Sequence, residues 1–582
     1  MTSLRAIVRR HWFKLVLGAV VLLAAALRLY RPGQYPQAFH HDEMMLGYDA
    51  WSIWKTGRDQ HGALLPIHFR AFNEYLPGTA QYIVAPFVGL LGPSEVSARL
   101  PFELLGALTV FVTALIGRRW FGAWAGLLAA LFLAIDPWHV FFSRLALVNS
   151  SAPIFTVAAL YAFTRAMASL HESGRDLALA VAGAARPPVP GGARAWGDAD
   201  RRSLAWVALS ALFFALLMRT YQPLRLQAPL LLGICLVSAR DLLKRRPRLV
   251  VVWLGLFALF SSPQIIDHLA HWDRNQLQLR HNNLLSRSDW LVTMAGNYAD
   301  YFNPKRLFFT GLEGMVDSRA GIGNLCWVQL PSWLAAGYGF SRGFPSSRLG
   351  FSARFLSIAW FVTYPLAASF TVTGIPSENR TVGFLPCPEL LAGYGAVVIA
   401  GALSRPRLPW SSALRAGLAG AALLVAVISY EVTFVRWFFD EPYLQTGRGR
   451  DQTPANVGLR AILAEANRRA GACDVIYAGE INWVSYLFMT QYPPDRFQKD
   501  AKVGENVPPD EFLEIAAFGN VRLTDPKSWR LTAPEPPAPC ATRHKQLFAT
   551  RHFSLGPEWH KVHSVDNAAG QALWELYETE VP

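Results

Sequence analysis

Long apolar runs constrain the fold of this chain more than any other feature of its sequence. Crossing a hydrocarbon core takes about 20 helical residues, and about eleven stretches reach or approach that length. With 52% hydrophobic and only 16% charged residues among 582, the chain is too apolar for a cytosolic enzyme or a disordered protein. The pattern predicts a mainly α, polytopic membrane bundle. The predicted spans lie at 12–30, 101–117, 122–136, 148–165, 203–218, 224–239, 249–263, 322–340, 353–371, 382–403 and 411–431.

The basic residues predict the orientation of this bundle. The net charge of +14 would suggest nucleic acid as a partner in a soluble protein, but here Lys and Arg lie mostly between apolar runs, where they act as topology signals. Short turns on one side carry just Arg144, Arg219 and Arg380, whereas the connections on the other side are rich in Lys and Arg. We therefore expect an integral protein of the bacterial inner membrane, with a cytoplasmic N-terminus, an outer C-terminus and no nucleic-acid partner.

Two connections, 31–100 and 264–321, are too long to be turns, and both fall on the outer side in this topology. The first contains aromatic and apolar stretches at 47–57 and 75–92 that Pro and Gly interrupt. Such stretches favour helices that lie in the membrane interface. The alternative is a twelfth span at 76–91, which would reverse the predicted membrane orientation of every later segment.

The last 151 residues differ in composition from the rest of the chain. Residues 432–582 are mixed, Pro-rich and charged, and a helical pattern at 455–470 precedes short apolar runs. This predicts a small outer α/β domain after a membrane domain of residues 1–431. Cys473 and Cys540 share it; in an oxidising compartment they would pair, the alternative being two buried thiols.

An acidic pair follows the first apolar run, in the segment HHDEMMLGYDAW at 40–51. Burial beside apolar surface would raise the pKa of Asp42 or Glu43 toward that of a useful base. Because neighbours on a helix point about 100° apart, one acid would act and the other would position. The alternative is a solvated acidic turn that caps the next helix.

Further blocks follow this segment in order: TGRDQHGALLP (56–66), SARLP (97–101), GRRWFG (117–122), DPWHVFFSRLAL (136–147), NYADYFNPKRLFFTG (297–311) and PSENRTVGFLPCPELLAGYG (376–395). The ordered set resembles the GT-C superfamily of membrane glycosyltransferases, specifically the phospholipid-carrier-dependent family 39 type, relatives of protein O-mannosyltransferases and the aminoarabinose transferase of lipid A. The resemblance covers roughly residues 10–430 and does not extend to the C-terminal domain.

The resemblance implies a GT-C fold and a hexosyl or pentosyl transfer from a polyprenyl-phosphate carrier, with inversion, to an acceptor hydroxyl on the outer face. Because phosphate is a weak base and leaves without a proton, one carboxylate suffices as general base. The family's catalytic acid lies in the first outer loop, which implies Asp42, with Glu43 as the second candidate. The acceptor would be a glycan, a lipid or a protein.

The carrier phosphate needs cationic donors near the outer boundary of the membrane. The candidates are Arg380, Arg219 with Tyr221, Arg144 and Arg225; of these, Arg380 best matches the family. For Arg144 and Arg225 the alternative is an arginine that merely anchors its helix. Arg280 and His281 in the second outer loop are candidates for the acceptor side, or part of a solvated helix.

No cofactor is expected. His40, His41 and His61, together with His139 and the acidic pair, are weak candidates for a divalent cation. Two other classes of function stay open: a multispan lipid or glycan transporter, and a noncatalytic scaffold for polysaccharide assembly. Clustering of the ionisable residues at one face of the membrane, rather than at mid-depth, argues against a transporter.

Overall fold

The computed structural model describes most of the chain. The described residues are 2–36, 39–71, 74–181, 198–271, 284, 287–310, 323–343, 350–371, 376–404, twelve positions within 411–435, 458–479, 481–503, 515–524, 544–551, 555–566 and 570–581. Their contacts divide them into two compact units: the first contains Met1–Tyr30, Phe102–Ser143 and Asn149–Val435, and the second contains Arg31–Pro101, Arg144–Val148 and Arg436–Pro582.

The first unit is helical throughout its described part. The helices that lie in it or run into it are α1 (Thr2–Leu29), α4 (Glu95–Phe121), α5 (Ala123–Ile135), α6 (Pro137–Ser143), α7 (Ala152–Val181), α8 (Asp198–Met218), α9 (Leu224–Ser238), α10 (Arg240–Leu243), α11 (Pro247–Ala270), α12 (Trp290–Asp300), α13 (Gln329–Ser341), α14 (Ala353–Thr363), α15 (Leu366–Ser369), α16 (Glu378–Thr381) and α17 (Cys387–Leu403). The prediction of a polytopic, mainly α bundle is confirmed.

Fewer helices reach full membrane-spanning length than the apolar runs indicated. Four described helices are long and apolar enough to cross a membrane, and two bent pairs raise the number to six; the four are Arg10–Leu29, Glu95–Phe121, Val148–His171 and Pro247–Ala270. The predicted runs at 322–340 and 353–371 contain helices of only 13 and 11 residues. The second ends just before Pro365, since proline disfavours helix at the preceding residue. Most of 411–431 lies outside the described residues.

Both bent pairs break beside a proline, which is Pro137 in the first pair and Pro386 in the second. The α5–α6 pair bends by 60° at Asp136, whose Oδ1 accepts the His139 backbone N–H at 3.0 Å and so caps α6. Arg28 donates to the carbonyls of Leu133 and Ala134 at 3.1 and 2.9 Å. These carbonyls at the end of α5 have no partner within their own helix, so a buried arginine on α1 stabilises the break.

The second unit combines residues 31–101 with the C-terminal domain. Its helices and strands before residue 102 are α2 (His41–Thr56), β1 (His68–Ala71), β2 (Glu74–Pro77), α3 (Thr79–Leu91) and the start of α4. The sequence prediction grouped 31–100 with the membrane domain; by contacts these residues pack instead with the C-terminal domain. At 13 residues, α3 spans about 20 Å, which is too short for the alternative twelfth crossing.

The C-terminal part is an α/β domain, as predicted. It contains α18 (Leu459–Arg469), β3 (Val475–Gly479), α19 (Trp483–Thr490), α20 (Pro494–Asp500), β4 (Lys502–Val503), β5 (Ile515–Phe518), β6 (Val521–Thr524), β7 (His544–Thr550), β8 (His560–Asp566) and β9 (Ala572–Val581). The seven strands form one sheet in the order β4-β5-β6-β3-β7-β9-β8. Strand β3 is parallel to both neighbours, pairing Ile476 with Val521 and with Leu547. Cys473 is disulfide-bonded; its predicted partner, Cys540, lies outside the described residues.

Candidate active site

The acidic pair lies at the capped start of α2. His40 has an extended backbone and is the N-cap: its side chain accepts the Asp42 backbone N–H, and its own N–H donates to Glu43 Oε2 at 3.0 Å. This reciprocal arrangement satisfies backbone N–H groups that a helix N-terminus otherwise leaves unpaired. Both carboxylates therefore lie in the first turn, at the positive end of the helix dipole.

Glu43 is fully buried and fully engaged. Arg99, from the SARLP block, donates to it through Nε and Nη2 at 2.8 and 2.7 Å, and the Ala146 backbone N–H donates to Oε1 at 2.8 Å. A carboxylate in a bidentate pair with a guanidinium group fixes the relative position of the two segments, and its oxygens are already occupied. The role of second catalytic candidate does not fit this arrangement; the contacts make Glu43 a positioning group that joins α2, α4 and residues 144–148.

Asp42 is the accessible member of the pair, with 44% of its side chain exposed. Its two oxygens lie 3.4 Å from His40 Nδ1 and 3.4 Å from His41 Nε2. The expectation that burial raises its pKa is wrong. Burial acts in that direction, but the interactions with the nearby His40 and His41 rings outweigh it and hold the pKa of Asp42 below its ordinary value. Asp42 is therefore ionised and open to a solute.

The four histidines that were candidates for a cation site lie in three different surroundings. His40, His41 and Asp42 offer ligand atoms within 4.8 Å of one another, so this group is the one that could hold a metal ion among the described residues. His61 is not part of it, and burial lowers the pKa of His61 to about 4. In the first unit, the His139 Nδ1 accepts a hydrogen bond from the buried Arg28 at 2.6 Å. That no cofactor is required stays a prediction.

Besides Glu43, helix α2 carries another buried acid, Asp49, which was not among the predicted site residues. Asp49 is fully buried; it accepts the Gln60 backbone N–H at 3.1 Å and the Gln60 side-chain amide at 3.4 Å. Burial, with the nearby charge of Asp59, raises the pKa of Asp49 well above its ordinary value. The sequence did contain an indication of burial, because Asp49 is the one charged residue in the apolar stretch MMLGYDAW at 44–51.

We expect Asp49→Asn to remove a pH dependence of stability. Folding favours protonated Asp49, so its stabilising contribution is complete below the unfolded pKa of about 3.9 and is lost as pH rises toward the folded pKa. The melting temperature of the wild type should fall relative to Asp49→Asn as pH rises from about 4 to 8. Calorimetry of both proteins measures this difference, with exposed Asp241→Asn as the control; a constant difference contradicts the prediction.

Arg144 serves the second unit as an anchor. Its side chain is fully buried, and it donates to the carbonyls of Tyr35 at 3.2 Å and Arg31 at 3.4 Å. These bonds tie residues 31–35, which lead into α2, to the segment whose Ala146 N–H binds Glu43. Arg144 was a candidate for binding the carrier phosphate, the alternative being an arginine that anchors its own segment. Its contacts with backbone carbonyls favour the anchoring role.

The other predicted arginines lie on two adjoining connections of the first unit. Arg219 and Tyr221 lie in the turn between α8 and α9, and Arg225 in the first turn of α9, 3.4 Å from His268 Nδ1. Arg380 on α16 donates to Thr371 Oγ1 at 2.7 Å. The connections touch at Gly383, where a Cβ would lie 2.8 Å from Leu224 Cδ2. The fold thus brings together two basic segments that are about 160 residues apart in sequence.

A buried ion pair beside Arg380 was also missed. Arg306 donates to Glu378 through Nε and Nη2 at 2.9 and 2.7 Å, and its Nη2 donates to the Pro376 carbonyl at 2.7 Å. Arg306 lies in the block at 297–311 and Glu378 in the block at 376–395. Opposite charges in these two blocks were the sequence feature that could have indicated the pair. The candidates for the acceptor side, Arg280 and His281, lie outside the described residues.

Comparison with known proteins gives a family match and a fold match. Residues 77–186 match the family described as dolichyl-phosphate-mannose-protein mannosyltransferase. A search of curated protein sequences finds no match.

Among solved structures, ArnT from Cupriavidus metallidurans bound to undecaprenyl phosphate has a TM-score of 0.53 at 12% identity, over 97% of this chain and 98% of that one. Its apo form gives 0.54 at 11% identity, over 98% of each chain. The oligosaccharyltransferase AglB from Archaeoglobus fulgidus gives 0.48 at 13% identity, over 83% of this chain and 63% of that one. The chain therefore has the fold of these two ArnT structures over nearly its whole length, and within it residues 77–186 match the mannosyltransferase family.

Proposed function

We propose that the chain transfers a sugar from a polyprenyl-phosphate carrier to an acceptor hydroxyl, with inversion, on the outer face of the bacterial inner membrane. The observation that carries the proposal is Asp42: an exposed, ionised carboxylate at a capped helix start, beside a second carboxylate whose buried ion pair fixes its position. The undecaprenyl phosphate in the similar ArnT structure supports a polyprenyl carrier.

In this reaction Asp42 accepts the proton of the acceptor hydroxyl as its oxygen attacks the anomeric carbon. The bond from that carbon to the phosphate oxygen breaks at the same time, and the electron pair leaves on the carrier phosphate. A single displacement of this kind inverts the anomeric centre. The sugar ends on the acceptor, the proton on Asp42 and the added negative charge on the polyprenyl phosphate.

The leaving phosphate needs positive charge, which we propose that arginine side chains supply. Arg380, Arg219 and Arg225 are proposed to bind it, with the Tyr221 hydroxyl as a further donor. Guanidinium groups suit this task because their fixed N–H groups match phosphate oxygens in pairs, and such charge-assisted bonds are shorter and stronger than neutral ones.

Purified protein in lipid nanodiscs tests the proposal. Given a synthetic polyprenyl-phosphate sugar and a panel of glycan, lipid A and peptide acceptors, it should form a glycosidic product and release polyprenyl phosphate. NMR of the product should show the anomeric configuration opposite to that of the donor. Retained configuration contradicts the single displacement, and carrier movement across vesicles without any product indicates a transporter instead.

A further inference from the structure

Helix α2, which carries Asp42 at its start, packs against a segment near the C-terminus. Gly47 faces the ring of Phe488 on α19 so closely that a Cβ at this position would lie 2.6 Å from a ring carbon. Beside it, the Tyr48 hydroxyl donates to the Tyr492 carbonyl at 2.9 Å. The absence of a side chain at position 47 therefore sets how closely the two helices approach.

Polar contacts from the same segment hold the far end of α2. The Gln498 side-chain amide nitrogen lies 3.1 Å from Ser52 Oγ, 3.2 Å from Thr56 Oγ1 and 2.8 Å from the Asp59 carbonyl. Because it reaches two hydroxyls on the last turns of α2 and a carbonyl in the loop beyond, Gln498 fixes the C-terminal end of the helix.

A third contact passes through the loop that follows α2. The Trp483 indole N–H donates to Gln60 Oε1 at 3.2 Å, and Gln60 in turn donates to the buried Asp49. Near the start of the helix, the rings of Phe39 and Phe488 stack with centroids 5.1 Å apart. The segment 483–498 therefore touches α2 or its flanking residues at the start, middle and end.

The position of a side chain in the first turn of a helix depends on the placement of the whole helix. The 16 residues of α2 form a rod of about 24 Å, and a small tilt at one end displaces the other. A general base must be placed to a fraction of an ångström, and a misplacement of about 1 Å can cost about 100-fold in rate.

We propose that residues 483–498 of the C-terminal domain are a positioning element for Asp42, with Gln498 and Trp483 as the residues that fix α2. The inference rests on the proposed function in that it takes Asp42 as the base. It gives the C-terminal domain a part in the transfer reaction through the placement of α2.

Gln498→Ala and Trp483→Phe test the inference in the full-length protein in nanodiscs. The first removes the amide that binds Ser52, Thr56 and Asp59, and the second keeps an aromatic ring but loses the indole N–H. We expect kcat to fall about 10- to 100-fold for Gln498→Ala and less for Trp483→Phe, with KM for the donor unchanged. Arg468→Ala, which removes an exposed ion-pairing side chain from the same domain, is the matched control and should leave kcat unchanged.

Hydrogen exchange gives a second readout that does not depend on activity. Residues 41–56 should exchange faster in Gln498→Ala than in the wild type or in Arg468→Ala. An unchanged kcat in Gln498→Ala, or a loss confined to thermal stability, overturns the positioning role while leaving Asp42 as the base. Undiminished transfer in Asp42→Asn instead overturns the proposed function itself, so the two failures are distinguishable.

Discussion

Asp42→Asn is expected to lower the transfer rate by about 100- to 10,000-fold, the usual contribution of a general base. Asparagine has nearly the same shape but cannot take a proton from the acceptor hydroxyl. The carrier phosphate does not depend on this group, so donor affinity should stay within about twofold of the wild type. Single-turnover transfer measures the first quantity, and binding of labelled polyprenyl-phosphate sugar to nanodiscs measures the second.

Two further variants sharpen this result. Asp42→Glu keeps the charge but moves the carboxylate by one methylene, so it should recover part of the lost rate. Asp241→Asn removes an acid that is 89% exposed and should have no effect. Equal loss of donor binding and of transfer in Asp42→Asn would assign this carboxylate to the donor site rather than to proton transfer.

Local pattern in the sequence was sufficient for much of the fold. The apolar run at 122–136 corresponds to α5, which ends one residue before the predicted limit, and the helical spacing at 455–470 corresponds to α18. These elements depend on neighbours a few residues away, which periodicity records. The packing of residues 31–101 with the C-terminal domain depends on contacts such as that of Gln498 with Ser52, about 450 residues apart, for which no local pattern exists.

The candidate site could be predicted in part for the same reason. The adjacency of Asp42 and Glu43, and the rule that one of them acts while the other positions, follow from helix geometry. Which of them is buried does not, because it depends on Arg99 and on the Ala146 N–H. The direction of the pKa shift of Asp42 does not follow from the sequence, because it depends on how closely the His40 and His41 rings approach the carboxylate in the folded chain.

Arg99→Met is expected to destabilise the protein by about 3–5 kcal/mol, the range for breaking one half of a buried ion pair. Both side chains are fully buried, so removal of the guanidinium leaves the Glu43 carboxylate without its charge partner and out of reach of water. Methionine fills most of the vacated volume, which limits the contribution of a cavity. Chemical unfolding in detergent, followed by tryptophan fluorescence, measures the change.

A double-mutant cycle separates two contributions to this loss of stability: the interaction of Arg99 with Glu43, and the cost of leaving the Glu43 carboxylate buried without a charge partner. Glu43→Gln removes the charge but keeps an oxygen for the Ala146 N–H, so Arg99→Met combined with Glu43→Gln should be more stable than Arg99→Met alone. Arg468→Ala provides the control, since it removes an exposed side chain and should leave the unfolding midpoint unchanged. If Arg99→Met and the double variant unfold at the same denaturant concentration, the carboxylate is not stranded and Glu43 is held mainly by its backbone donors. Recovery in the double variant without recovery of transfer would instead show that Glu43 and Arg99 do more than stabilise: they place the neighbouring Asp42 where the acceptor can reach it.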